Sequence, residues 1–151
     1  MIAPSEIIWI AAILAVAACV AVVLALLNRR HARMTVLNEV RRQFAGASIL
    51  ALASHACFHG LDRSWDGRWR GCGVLILTEE MLYFRSWQRK LDLSVPIVRV
   101  EEVGLSLDIE KEELDGNQLQ VRYRGADDRL RVATWVVDRP RQWVHLVQTM
   151  L

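Results

Sequence analysis

Gly71–Trp87, GCGVLILTEEMLYFRSW, is the stretch on which the fold turns. A continuous apolar run, Gly71 to Thr78, breaks at Glu79 and Glu80, and a second run returns from Met81 to Trp87. Short runs rich in β-branched and aromatic residues, parted by two polar positions, read as two strands joined by a tight turn. The domain around them is therefore expected to be β-rich.

Downstream the pattern continues as alternation. Leu91, Leu93 and Val95 alternate with Asp92 and Ser94 until Pro96, which cannot donate to a ladder and stops the strand. Val103, Leu105, Leu107 and Ile109 alternate with Gly104, Ser106 and Asp108, and an acidic loop closes at Asp115-Gly116-Asn117, a hairpin signal. Leu119, Val121 and Tyr123 then pair across Gly125 to Asp128 with Leu130, Val132, Thr134 and Val136. Upstream, Ala47 to Phe58 is less decided because its alanines also permit helix, but Phe58-His59-Gly60 ahead of a polar loop reads as a strand end. About six or seven short antiparallel strands point to a barrel or sandwich. The chain closes on a helix: Asp138 is expected as N-cap, Pro140 suits the first turn, and Trp143, Leu146, Val147 and Met150 form one apolar stripe. Such a helix can plug the open end of a partly open barrel.

Toward the N-terminus the chain changes solvent. Ile7 to Leu27, IIWIAAILAVAACVAVVLALL, is 21 residues without a charge, glycine or proline. As a helix it is roughly 32 Å long, the thickness of a hydrocarbon core, and it satisfies its own backbone hydrogen bonds. Residues 1–27 are read as a tail and single transmembrane helix. A cleaved signal peptide fits less well, since no basic segment precedes the run and the run is too long. Arg29, Arg30 and Arg33 follow the helix at once, with Arg41 and Arg42 close behind, so the N-terminus is expected outside and the C-terminal part in the cytoplasm, at the inner (plasma) membrane. The net charge of +2 hides this asymmetry, because residues 101–115 are acidic while 29–42 are basic. Arginines beside anionic headgroups contribute about 1 kcal/mol each. Arginine far outnumbers lysine and alanine is abundant, which fits a bacterial coding sequence of high GC content.

Residues 28–46 read as a basic helical stalk. Met34, Leu37, Val40 and Phe44 recur at helical spacing, a stripe that can pack on the domain, lie on the membrane, or pair with a second copy as a homodimer. Residues 47–151 form the remaining domain. Cys19 lies in the anchor and Cys57 and Cys72 in the domain; a cytoplasmic location would keep them reduced, so no structural disulfide is expected.

The domain resembles the pleckstrin-homology-like superfamily, especially its GRAM and bacterial PH-like branches. The resemblance rests on Leu77-Thr78 turning into Leu82-Tyr83-Phe84, on Val95-Pro96-Ile97, and on the paired strands and terminal helix bearing Trp143. It implies a partly open antiparallel barrel capped by a C-terminal helix, and a non-catalytic module that binds proteins or lipid headgroups.

Three sets of residues are candidates for chemistry. The loop Asp62 to Arg70, DRSWDGRWR, resembles the phosphoinositide-binding loop of PH domains: Arg63, Arg68 and Arg70 would clamp phosphate oxygens of an anionic lipid, with Trp65 and Trp69 at the interface. The competing reading pairs those arginines with Asp62 and Asp66. The second set, Arg122, Arg124, Arg129 and Arg131, would form an outward docking face for an acidic partner if Arg122 faces Arg131 and Arg124 faces Arg129; Asp108 and Glu110 would neutralise it otherwise. Third, His55, Cys57 and His59 share one strand face with metal-ligand types, but neighbours on one strand seldom close a tetrahedron and no fourth ligand is evident, so no metal or cofactor is expected. Of the catalytic motifs, neither a P-loop nor GxGxxG, HExxH, GxSxG or CxxC occurs. Every basic stretch has acids beside it, which disfavours nucleic acid as partner. The expectation is a membrane-anchored adaptor or scaffold for an unknown protein partner, with a lipid-headgroup sensor as the alternative.

Overall fold

The computed structural model describes residues 4–61, 71–88, 91–106 and 118–151. By contacts the chain divides into Met1–Asn38 and Glu39–Leu151. The described residues of the first unit, 4–38, are all helical and make the greater part of helix α1 (Pro4–Gln43). Pro4 sits in the first turn, where its missing N–H costs nothing, and Arg41 and Arg42 face the negative end of the helix dipole. By length and composition α1 can cross a membrane, and Leu14, Val16, Val20, Val23 and Leu26 lie exposed along it.

The second unit is mainly β. Strands β1 (Ile49–Leu61), β2 (Gly71–Thr78), β3 (Met81–Ser86) and β4 (Asp92–Pro96) are followed by a short 3-10 turn, Ile97–Arg99, then by β5 (Val100–Ser106), β6 (Gln118–Arg124), β7 (Leu130–Val136) and helix α2 (Pro140–Gln148). They form one open antiparallel sheet in the order β4-β3-β2-β1-β7-β6-β5. The barrel expected from the sequence is thus observed as an open seven-stranded sheet. The sheet is strongly curved: the rings of Phe84 on β3 and Trp135 on β7 lie 6.4 Å apart, although β2 and β1 run between them, and flat strands so separated would stand about 14 Å apart. Phe58 of β1 joins both rings at 5.5 and 5.4 Å.

Around these rings the inward residues of every strand bury one core, with Leu75, Leu82, Val95, Val103, Val121 and Ala133 among them. Helix α2 closes it with Trp143 and Val147. Its N-cap is Arg139 in the left-handed region (φ 51°) with no side-chain cap, so the expectation for Asp138 is corrected. Pro140 sets the first helical turn regardless, because its ring already holds the helical φ.

The β2–β3 turn shows why Glu79 and Glu80 reverse the chain. Thr78 Oγ1 accepts the backbone N–H groups of Glu80 and Met81 at 3.3 and 3.1 Å, so the side chain does what a longer turn's backbone would do. Farther along the same pair, a Cβ on Gly73 would lie 1.9 Å from the Arg85 carbonyl oxygen, so glycine alone permits that approach.

Candidate functional site

The longest strand creates the site. Strand β1 pairs with β2 from Ile49↔Thr78 to Phe58↔Gly71, but with β7 only from Cys57↔Val136 to Leu61↔Ala133. Its first half therefore has a strand on one side and none among the described residues on the other. Helix α2 lies across that opening and leaves a groove of about 520 Å³. One wall is residues 50–55 of β1; the other carries Asp138, Arg139, Gln142, Trp143 and Leu146. Leu50 and Leu52 are 39% and 37% exposed, so the groove combines an open strand edge with apolar surface.

Two irregularities shape β1. Between Ala53 and Ala56 the register against β2 slips, so two residues, Ser54 and His55, oppose Val74 alone. Such a bulge re-aims side chains: Ala53 and Ala56 both pack toward the core while Ser54 and His55 are exposed. A second slip lies between Phe58 and Gly60 on the β7 side, where Gly60 has φ 123°.

Cys57 pairs across the ladder with Cys72, their Cα atoms 3.9 Å apart, and the two form a disulfide. This overturns the expectation of three separate thiols; among the described residues only Cys19 is free. The pairing follows from the β1–β2 register, in which Ala56↔Gly73, Cys57↔Cys72 and Phe58↔Gly71 are successive pairs. Spacing alone did not mark the pair, and the assumed compartment set it aside. The ligand atoms of His55, Cys57 and Cys72 all lie within 4.8 Å of one another, with both cysteines half-buried. His59, beyond the second slip, is not part of that cluster.

The arginines predicted to face one another do not. In the observed register Arg122 pairs with Val132, Tyr123 with Arg131 and Arg124 with Leu130. The five-residue connection from Gly125 to Arg129 is closed by Gly125 N–H donating to the Arg129 carbonyl at 2.9 Å, which sets this register. Arg131 accordingly shares the inward face with Tyr123, while Arg122 and Arg124 point outward. Each arginine meets acid: Arg122 meets Glu102 at 2.8 Å, Arg124 meets Glu101 at 2.5 Å, Arg131 meets Asp127 at 3.0 Å and Arg129 meets Asp127 at 3.8 Å. The neutralising acids come from β5 and the turn; Asp108 and Glu110, expected in that role, lie outside the described residues. The hydrogen bond from Arg131 holds the Asp127 carboxyl below its usual range. Burial raises the Tyr123 phenol, against the opposing charge of Arg131.

The outer face of β2 and β3 is built otherwise. Val74, Ile76 and Tyr83 point away from the core yet are buried, and the end of α1 covers them: Val40 is wholly buried and the Phe44 ring lies 5.1 Å from that of Tyr83. Arg85 beside them bonds Glu39 of α1 at 3.1 Å and Asp92 of β4 at 3.6 Å. Burial alone would lower its pKa; the two carboxylates outweigh that and raise it. The lower end of the expected stalk stripe thus packs on the domain. The loop residues Arg63, Trp65, Arg68, Trp69 and Arg70 lie outside the described residues.

The fold defines a mainly β domain, one open antiparallel sheet closed by a C-terminal helix behind a long N-terminal helix. No protein-family model matches the chain, and no curated protein matches it. Among solved structures it is similar to the C-terminal domain of an unknown protein from Leishmania infantum, at 15% identity and a TM-score of 0.52, over 78% of this chain and 96% of that one. That likeness is one of fold alone.

Proposed function

We propose that the chain is a membrane-anchored, non-catalytic interaction module of the pleckstrin-homology-like type, which binds an extended segment of a partner protein as an added strand on β1. One observation carries the reading: among the described residues, the first half of β1 has no strand neighbour on the side where α2 opens the 520 Å³ groove. An open edge offers main-chain donors and acceptors to any extended peptide, and pockets beside it select alternate side chains. Trp143, Leu146 and Leu52 provide such apolar surface. Seven antiparallel strands with a terminal helix agree with the arrangement the resemblance implies. The exposed apolar length of α1 supports the anchor; the arginines that follow it favour a domain on the cytoplasmic face, and the Cys57–Cys72 disulfide weighs against it.

The test uses the full chain in lipid nanodiscs and a displayed library of random decapeptides. Selected peptides are expected to slow amide exchange at residues 50–55 and to lose binding when alternate backbone N–H groups are methylated. Gln142→Trp, at an exposed position on the α2 wall, is expected to weaken them at least about tenfold by filling the groove. Protection confined to other residues, or full affinity in Gln142→Trp, would remove the proposal.

A further inference from the structure

Two residues of β1 and one of β2 converge where the β1 wall of the groove ends at His55. Cys57 and Cys72 are directly opposed across the ladder, and His55, two residues before Cys57, lies on the same outward strand face. Their three ligand atoms lie within 4.8 Å of one another. In a metal site with bonds of about 2.3 Å to sulfur and 2.0–2.1 Å to nitrogen, donors stand roughly 3.5–4 Å apart, so the cluster needs only small side-chain rotations to close on an ion. Such rotations are open to it, because His55 is exposed and both cysteines reach solvent.

We infer that His55, Cys57 and Cys72 form a redox-gated site for one thiophilic d10 cation, Cu(I) or Zn(II). In the disulfide state the sulfurs are joined and carry no negative charge, so the site is shut. A dithiol reductant opens it: two electrons and two protons pass to Cys57 and Cys72, and the reductant leaves as its own disulfide. The incoming ion displaces both thiol protons to solvent and is held by two thiolates and the His55 imidazole. Three donors complete a trigonal Cu(I) site; Zn(II) takes the same donors with a water as fourth. The strand pairing that aligns the cysteines also explains why the sequence pattern of one strand missed the site, since the third ligand comes from its neighbour.

The experiment takes the full chain in nanodiscs in a Cys19→Ser background, so that every thiol counted belongs to the domain. Titration with zinc alone, and separately with Cu(I) against a chromogenic chelator, is run on the oxidised and the dithiol-reduced protein. One ion per chain is expected in the reduced form and none in the oxidised form. His55→Ala, at an exposed position, is expected to lower affinity at least about tenfold without changing the fold. The Cys57→Ser, Cys72→Ser pair is expected to abolish binding. Equal binding by oxidised and reduced protein, an unchanged affinity in His55→Ala, or no binding of either ion would overturn the inference. A preference between the two titrations identifies which ion the site takes.

Discussion

Strands β2 and β3 turn Val74, Ile76 and Tyr83 outward beneath Val40 and Phe44, whereas β6 and β7 turn Gln120, Arg122, Arg124 and Thr134 outward to water and to the glutamates of β5. Both halves send their inner residues to one core. The first half is thus buried on two faces and the second on one, and the difference lies in what the helix end covers. It teaches that the end of α1 belongs to the domain's packing, so α1 is more than a tether. Substitutions on each face should therefore differ in cost by several-fold.

Shared between the halves is the aromatic cluster, and its loss should be the most damaging change. Trp135→Ala removes a wholly buried ring that touches Phe58 and Phe84. Destabilisation of about 3–5 kcal/mol is expected in denaturant unfolding. Both halves should lose stability together, because the ring joins β1, β3 and β7. Separate transitions for the two halves would break the premise of a common core.

Next in size is the change that exposes the covered face. Phe44→Ala is expected to cost about 2–4 kcal/mol, since the ring is nearly buried against Tyr83. It should also speed amide exchange in β2 and β3 more than in β6 and β7. Uniform acceleration, or none, would mean that the helix end does not distinguish the halves.

The contrast between the halves was partly legible in the residues. GCGVLILT is apolar throughout, the pattern of a strand covered on both faces, while QLQVRYR alternates as a strand with one wet face does. Periodicity thus located β2, β3, β4, β6 and β7 within a residue or two, and packing on the domain was one of three readings open to the stripe through Val40 and Phe44. What periodicity cannot supply is register. The pairing of Arg122 with Val132 depends on hydrogen bonds in the Gly125–Arg129 turn, and a shift of one residue carried Arg131 to the inner face. The disulfide was hidden differently: reasoning from the arginines to a reducing compartment set aside two cysteines that the β1–β2 register places opposite each other. The groove was not readable, because it arises where β7 stops short of the first half of β1. No local composition marks that ending.

A smaller effect tests the turn that sets the second half's register. Asp128 adopts φ 59°, a left-handed conformation that glycine reaches without a Cβ penalty. Asp128→Gly is expected to stabilise the domain by about 0.5–1 kcal/mol in thermal or denaturant unfolding, because the loss of a long 3.9 Å contact to Arg124 removes little. Destabilisation instead would show that the side chain of Asp128 matters more to the hairpin than its backbone does.

The smallest expected effect bears most directly on the contrast, since it asks whether the wet face is merely solvated. Arg122 and Glu102 meet at 2.8 Å with side chains 46% and 65% exposed, so water screens them and each gives up rotamer freedom to stay in place. A double-mutant cycle with Arg122→Ala and Glu102→Ala should return a coupling of about 0.2–0.5 kcal/mol. Raising the salt to about 1 M shortens the screening length to roughly 3 Å and should bring the coupling close to zero. A coupling that stays near the cost of Phe44→Ala, and ignores salt, would mean that the ionic face holds the sheet as firmly as the helix end does. The two halves would then differ in chemistry and not in strength.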